Sequence, residues 1–375
     1  MASSSLLSSH SHSHQSLVLT LLALFLLLLS AVSPVVSQCK NRPVIFNFGD
    51  SNSDTGGLVA GLGFTVSLPN GRVFFNRSTG RLSDGRLIID FLCQSLKTSF
   101  LIPYLDSLAW SRFTNGASFA IVGSSTLPKY VPFSLNIQVM QFTRFKARTL
   151  ELIAAGSNPY LITDEGFKKA LYIIDIGQND IADSFAKNMS YVEVVNMIPS
   201  ITREIQNAIK TLYDQGGRNF WVHNTGPLGC LPQKLSLVKN QKLDQHGCIS
   251  SYNDAAKMFN EELRRLCQKM RIEMRGAAIV YVDIYSIKYD LIANSTKYGF
   301  SSPLMACCGA GGPPYNYNMR VMCGQAGSQV CDEGTRRISW DGVHYSEAAN
   351  SIVASKVLST AYSTPRLKFD FFCSS

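Results

Sequence analysis

Four short runs in this chain, residues 44–48, 171–176, 220–223 and 278–282, are almost continuously apolar and rich in β-branched or aromatic side chains. A strand with one wet face alternates polar and apolar residues. A strand that does not alternate is buried on both faces, as happens where helices cover both sides of a parallel sheet. A shorter run, residues 118–122, is a fifth candidate strand. The segments 87–96, 137–153, 192–212, 252–270 and 348–358 carry apolar residues at helical spacing. Strand and helix therefore alternate, and right-handed crossovers between parallel strands place the helices on both faces. The class this predicts is α/β, a three-layer α/β/α sandwich with a central parallel sheet. Ligands of such sheets bind outside the carboxyl ends of the strands. The loops to search are therefore residues 49–57, Gly123-Ser124-Ser125, Gly177-Gln178-Asn179-Asp180 and, ahead of the last helix, Trp340-Asp341-Gly342-Val343-His344.

The first 37 residues have a different character. A polar Ser/His stretch, residues 1–14, precedes an apolar run, residues 17–29, and small residues follow at Ser30, Ala31 and Ser33. That is the profile of a signal peptide, with cleavage expected after Ser37; an uncleaved anchor is the alternative, disfavoured because the run is short for a membrane span. No later segment is apolar for long enough to cross a bilayer. Residues 38–375 are expected to form one domain with long loops, secreted to the cell exterior or the cell wall.

All ten cysteines lie beyond residue 38. In an exported chain such thiols pair into disulfides, with metal ligation the weaker alternative. Cys307, Cys308, Cys323 and Cys331 crowd a Gly/Pro-rich stretch and predict a stapled loop. Sequons at Asn76, Asn188 and Asn294 mark candidate N-glycosylation sites. The net charge of +9 falls wholly on the expected mature chain. Export argues against nucleic acid as a partner. An anionic cell-wall polysaccharide is the partner that such a surface would favour weakly, and a solvated basic surface is the simpler account.

Three of the six histidines, His10, His12 and His14, leave with the expected signal peptide. His223 stands inside an apolar strand and reads as a satisfied buried imidazole, while His246 sits in a polar loop and reads as solvated. His344 alone has a carboxylate, Asp341, three positions away across a glycine. That Asp can hold Nδ1–H and leave Nε2 free as a base. A helix cap is the alternative role for Asp341, although Ser346 suits it better. Ser51 leaves the first strand at a tight turn beside Gly49, where a nucleophile can be presented. Asp54 and Asp180 read as turn formers rather than catalysts.

Phe46-Asn47-Phe48-Gly49-Asp50-Ser51-Asn52-Ser53-Asp54-Thr55-Gly56 resembles the nucleophile block of the plant GDSL esterase/lipases, a branch of the SGNH hydrolases. Asn115-Gly116-Ala117-Ser118-Phe119-Ala120-Ile121-Val122-Gly123 resembles their second block, Gly177-Gln178-Asn179-Asp180 the third and Trp340-Asp341-Gly342-Val343-His344 the last. Four blocks in order over most of residues 38–375 make the resemblance specific. It implies a flavodoxin-like SGNH hydrolase fold and hydrolysis of lipid or other small acyl esters through an acyl-enzyme, with no metal and no organic cofactor. By position it implies Ser51 as nucleophile, His344 as base and then acid, and Asp341 as the carboxylate that orients it. The implied oxyanion hole is the Ser51 N–H, the Gly123 N–H and the Asn179 amide, with Gly116 as second choice for the glycine.

Three departures accompany the resemblance. Asn52 replaces the Leu of the eponymous motif, Tyr345 and Ser346 stand where Pro-Thr often follows the histidine, and Pro69-Asn70-Gly71-Arg72 replaces a common Pro-Pro-Tyr-Gly. None removes a reacting group. The same triad would also serve an acyltransferase that hands the acyl group to an alcohol, and an idle site would leave a secreted glycan-binding protein; these are the alternatives.

Overall fold

The computed structural model describes residues 39–106, 108, 113–129, 132–156 and 160–374; the expected signal peptide lies outside the described residues. Five strands, β1 (Ile45–Gly49), β2 (Gly116–Ser118), β3 (Leu171–Asp175), β4 (Asn219–His223) and β5 (Ala278–Val282), pair in parallel in the order β2-β1-β3-β4-β5. A small separate hairpin joins β6 (Cys308–Gly309) to β7 (Gln329–Val330), and β8 (Ser363–Thr364) adds an antiparallel edge beside β5. The sheet is thus mixed and mostly parallel, with one edge strand absent from the sequence expectation because two residues give no periodicity to read.

Side-chain alternation builds the layers. Phe46, Phe48, Tyr172, Ile174, Phe220, Val222, Ile279 and Tyr281 enter one core, while Ile45, Leu171, Ile173, Trp221, Val280 and Val282 enter the other. The first core is closed by α3 (Leu135–Ala154), α6 (Tyr191–Asp214) and α8 (Ser250–Glu273), the second by α2 (Ile88–Ser95), α9 (Ile284–Ala293) and α10 (Glu347–Leu358). Burying one large apolar side chain contributes about 1.5–3 kcal/mol, so two filled cores explain why these strands carry no polar face. This is the expected α/β sandwich. Shorter helices α1 (Gly57–Leu62), α4 (Asp164–Lys169), α5 (Gln178–Ala186) and α7 (Pro232–Leu237) are absent from the sequence expectation, and α5 begins inside the segment 177–180 that the sequence reads as a loop. Each is too brief to show a helical period.

One strand expectation needs correction. The pairing of β2 begins at Gly116, opposite Ile45, and ends at Ser118. Residues 119–122 leave the ladder, although the N–H groups of Phe119 and Ile121 still donate to the carbonyls of Asn47 and Gly49 at 2.7 and 3.2 Å. That apolar run is buried as a loop, not as a strand.

From β1 the chain passes outward to β2, and from β3 it passes the other way to β4. The order therefore reverses between β1 and β3, which opens a crevice at their carboxyl ends. Four disulfides, Cys39–Cys373, Cys230–Cys248, Cys307–Cys331 and Cys308–Cys323, tie the periphery, and Cys93 and Cys267 are buried free thiols. Among the described residues no helix is long and apolar enough to cross a membrane.

Candidate active site

Ser51 follows β1 at this crevice and is buried. The turn that carries it is fixed on several sides. Gln138 of α3, fully buried, donates to the Gly49 carbonyl at 2.8 Å and accepts from the Gly49 N–H at 2.9 Å. Asn47 donates to the Ser53 carbonyl at 3.0 Å and to Ser118 Oγ at 2.9 Å. Asp54 accepts backbone N–H donors from Gly56, Gly57 and Leu58 of its own turn and, at 2.8 Å, from Val122 of the loop after β2. Asp54 is therefore more than a turn former, because it joins the loop that carries Ser51 to the loop that carries Gly123. Burial pushes its carboxyl up, and those four donors only partly offset the push.

Gly123 adopts φ +79, a backbone that favours glycine. Asn179 lies in the first turn of α5, not in a free loop, and its Nδ2 donates to the Ser124 carbonyl at 2.8 Å. A carboxamide has two N–H donors, so one remains. Asp180 is likewise helical, and it accepts from the Thr126 N–H and hydroxyl, the latter at 2.8 Å. The structure thus brings Ser51 and Gly123, on two bonded loops, together with Asn179 on the first turn of α5. Gly116 is excluded from that set: it stands at the opposite, amino end of the sheet, where an added Cβ would meet the Ile45 carbonyl at 1.7 Å.

His344 arrives from the other side, on a hairpin in which the Trp340 N–H donates to the His344 carbonyl at 2.7 Å. Its Nδ1 is 2.6 Å from Asp341 Oδ2, and Asp341 Oδ1 accepts the Val343 and His344 N–H groups at 2.9 and 2.8 Å. The turn between them needs Gly342, at φ +96, where a side chain would strike the Tyr317 ring at 2.4 Å. Ser346, not Asp341, caps α10. Burial pushes the Asp341 carboxyl up, but the charge and hydrogen bonds of His344 outweigh it and hold the group below its ordinary value. Burial pulls His344 down, yet Asp341, with help from the Asp50 charge, raises it above the ordinary imidazole range. Its Nε2 is buried and, among the described residues, makes no hydrogen bond. An oriented imidazole with a free nitrogen is what proton abstraction from a hydroxyl requires.

Sequence reasoning missed the groups beneath this site. His223 is buried but not satisfied: neither ring nitrogen has a hydrogen bond, and the nearest carboxylate is Asp175 at 3.5 Å. Asp50, 1 % exposed, is pushed up to about 7 by burial and by the charge of Asp175. Lys288, 3 % exposed, completes the cluster. A polar residue breaking an apolar run, as Asp175 and His223 do at the ends of β3 and β4, was the available signal. His246 is half-buried against the edge of Tyr289, not simply solvated.

The sequence model of the GDSL-like lipase/acylhydrolase family matches residues 45–357. A GDSL esterase/lipase of Arabidopsis thaliana is 67% identical over 350 residues, covering 92% of this chain and 94% of the relative. The Arabidopsis thaliana GDSL esterase/lipase LIP-4 is 67% identical over 340 residues, 90% and 91% of the two chains, and a third from the same plant is 51% identical over 349 residues, 92% and 95%. Fold, ordered motif blocks and these likenesses agree: the chain belongs to the GDSL-like lipase/acylhydrolase family and is a carboxylic ester hydrolase.

Proposed function

We propose that the enzyme works through an acyl-enzyme on Ser51. His344 Nε2 takes the Ser51 proton as the hydroxyl oxygen attacks the ester carbonyl, and the Asp341 carboxylate stabilises the imidazolium that results. Collapse of the tetrahedral intermediate expels the alcohol, which receives the proton from His344; water then attacks the acyl-enzyme by the same steps in reverse order. The oxyanion is held by the Ser51 and Gly123 N–H groups and the second N–H of Asn179. What carries this reading is the 2.6 Å Asp341–His344 contact with an unpartnered Nε2 beside it.

Export of residues 38–375 is part of the proposal, supported by the four disulfides, and so is glycosylation, since Asn76, Asn188 and Asn294 are all exposed. Substrates are small or lipid acyl esters. The test is a serine-directed fluorophosphonate: a single adduct at Ser51 is expected, and Ser51→Ala should lower kcat by about 10⁴-fold or more with the fold intact. An adduct elsewhere, or activity surviving the substitution, would sink the mechanism.

A further inference from the structure

The hairpin carrying Asp341 and His344 is bracketed by two aromatic residues, and each meets a cation. Before the hairpin, Arg72 lies over the Trp340 ring at 5.4 Å, while the Trp340 indole N–H donates to Asn70 at 2.9 Å. After it, the Lys288 ammonium lies over the Tyr345 ring at 4.0 Å. Arg72 also donates to the Cys331 carbonyl at 3.0 Å, which accounts for it as part of the stapled loop. Lys288 has no such anchor. Among the described residues it forms no ion pair in contact, although the carboxylates of Asp175 and Asp50 attract it from the ends of β3 and β1.

A buried ammonium without a contact partner costs several kcal/mol of desolvation, and burial lowers its proton affinity accordingly. Filling space alone would be served better by Met or Leu. Room has been left for the pair as well: a Cβ on Gly226 would sit 3.0 Å from Lys288 Cδ and 3.7 Å from the Tyr345 hydroxyl. Tyr345 stands at the departure from the family pattern, where a proline would fix the backbone after the histidine by itself.

We propose that Lys288 is a positioning residue of this site: seated on the face of Tyr345, it fixes where His344 stands over the Ser51 turn and supplies the counter-charge to Asp50 and Asp175. It touches no reacting atom. The inference rests on the acyl-enzyme reading, so wild type is first labelled with fluorophosphonate; absence of an adduct at Ser51 defeats both, whereas a normal adduct with kcat unchanged in the variants defeats this one alone.

With labelling in hand, Lys288→Met, Lys288→Arg, Tyr345→Leu and the Met/Leu double variant are assayed on a soluble acetate ester. Misplacing a base by an ångström costs about 100-fold. Lys288→Met and Tyr345→Leu should each lower kcat by about 10- to 100-fold, with KM within about threefold and the phosphonate reacting correspondingly more slowly per folded molecule. Lys288→Arg keeps a cation on the ring and should recover most of the rate. The double variant should be no worse than about twofold beyond the poorer single, because both break one contact. Should Lys288→Met fail to fold, Tyr345→Leu and Lys288→Arg still decide. A kcat within twofold of wild type in Tyr345→Leu, or losses that multiply in the double variant, overturns the proposal.

Discussion

The two halves of the candidate site are built by different means. The nucleophile half, residues 49–57 with the loop at 121–126 and the first turn of α5, is held by buried hydrogen bonds: Gln138 on Gly49, Asp54 on four backbone N–H groups, Asp180 on Thr126 and Asn179 on Ser124. The base half is held largely by covalent closure. Its small apolar cluster contains Cys307, Cys308 and Trp340, and the hairpin of Asp341 and His344 hangs from the stapled segment through Cys307 N–H to Ser339 at 3.0 Å and Cys308 N–H to Trp340 at 2.6 Å. The stapled segment itself buries little apolar surface, so bridges substitute for a core there, while Ile338 and Tyr345 beside the hairpin enter the second large core. The nucleophile half lies over the first of the two large cores and needs none.

The largest effect should come from breaking the hydrogen-bonded half. Asp54→Ala leaves four backbone donors without an acceptor in a buried turn. Orphaned donors and a lost charged acceptor cost about 4 kcal/mol together. Urea denaturation should show that loss, with the nucleophile turn disordered in whatever remains folded. A change below about 1 kcal/mol would mean that the turn is held by something else.

Asn179→Ala comes next, because it tests function within the same half. Loss of one oxyanion donor lowers kcat by about 10²–10³ with KM nearly unchanged. Asn179 also bonds Ser124, so a purely structural role predicts lower stability with activity per folded molecule retained. Measuring kcat, KM and Tm on one preparation separates the two.

What the sequence disclosed about these halves follows the same division. The candidate triad of Ser51, Asp341 and His344 could be proposed from ordered motif blocks, and the sheet was legible because strands buried on both faces cannot alternate. Gln138 was not, since a glutamine within an otherwise amphipathic helix looks like any solvent-side residue until its partner, Gly49, is placed 89 positions away. Lys288 and His223 were hidden for the same reason: their neighbours Tyr345 and Asp175 come from other strands and loops. Contacts that are long in sequence leave no period to read. The pairing of Cys307 with Cys331 and of Cys308 with Cys323 was open too, because spacing alone does not choose between connectivities.

A smaller effect should follow from opening the covalent half. Replacing Cys308 and Cys323 by Ser removes a bridge across 15 residues, worth about 2–3 kcal/mol by loop-closure entropy. Activity should fall as temperature rises, well before the sheet melts, because Tyr317 packs on Gly342 inside this loop. Simultaneous loss of activity and of the sheet's circular dichroism would show that the two halves do not come apart.

The smallest effect measures how strongly the halves feel each other. In the proposed mechanism the base form of His344 is needed for attack, and its raised proton affinity should place the acid limb of kcat/KM above the ordinary imidazole value. Asp341, in the same hairpin, is the chief cause of that rise, and Asp50, from the nucleophile half, adds to it. Asp341→Asn should therefore move the limb to lower pH by the larger amount, and Asp50→Asn in the same direction by less. Asp50 gives an independent reading through stability. Its folded value of about 7 lies above that of an unfolded Asp, so its contribution is full at acid pH and is lost as pH rises through 7. The Tm of Asp50→Asn should thus vary less between about pH 4 and 7, the span between the unfolded and folded values, than that of wild type. An acid limb that ignores Asp50→Asn while the Tm responds would place Asp50 under the nucleophile alone, electrically isolated from the base.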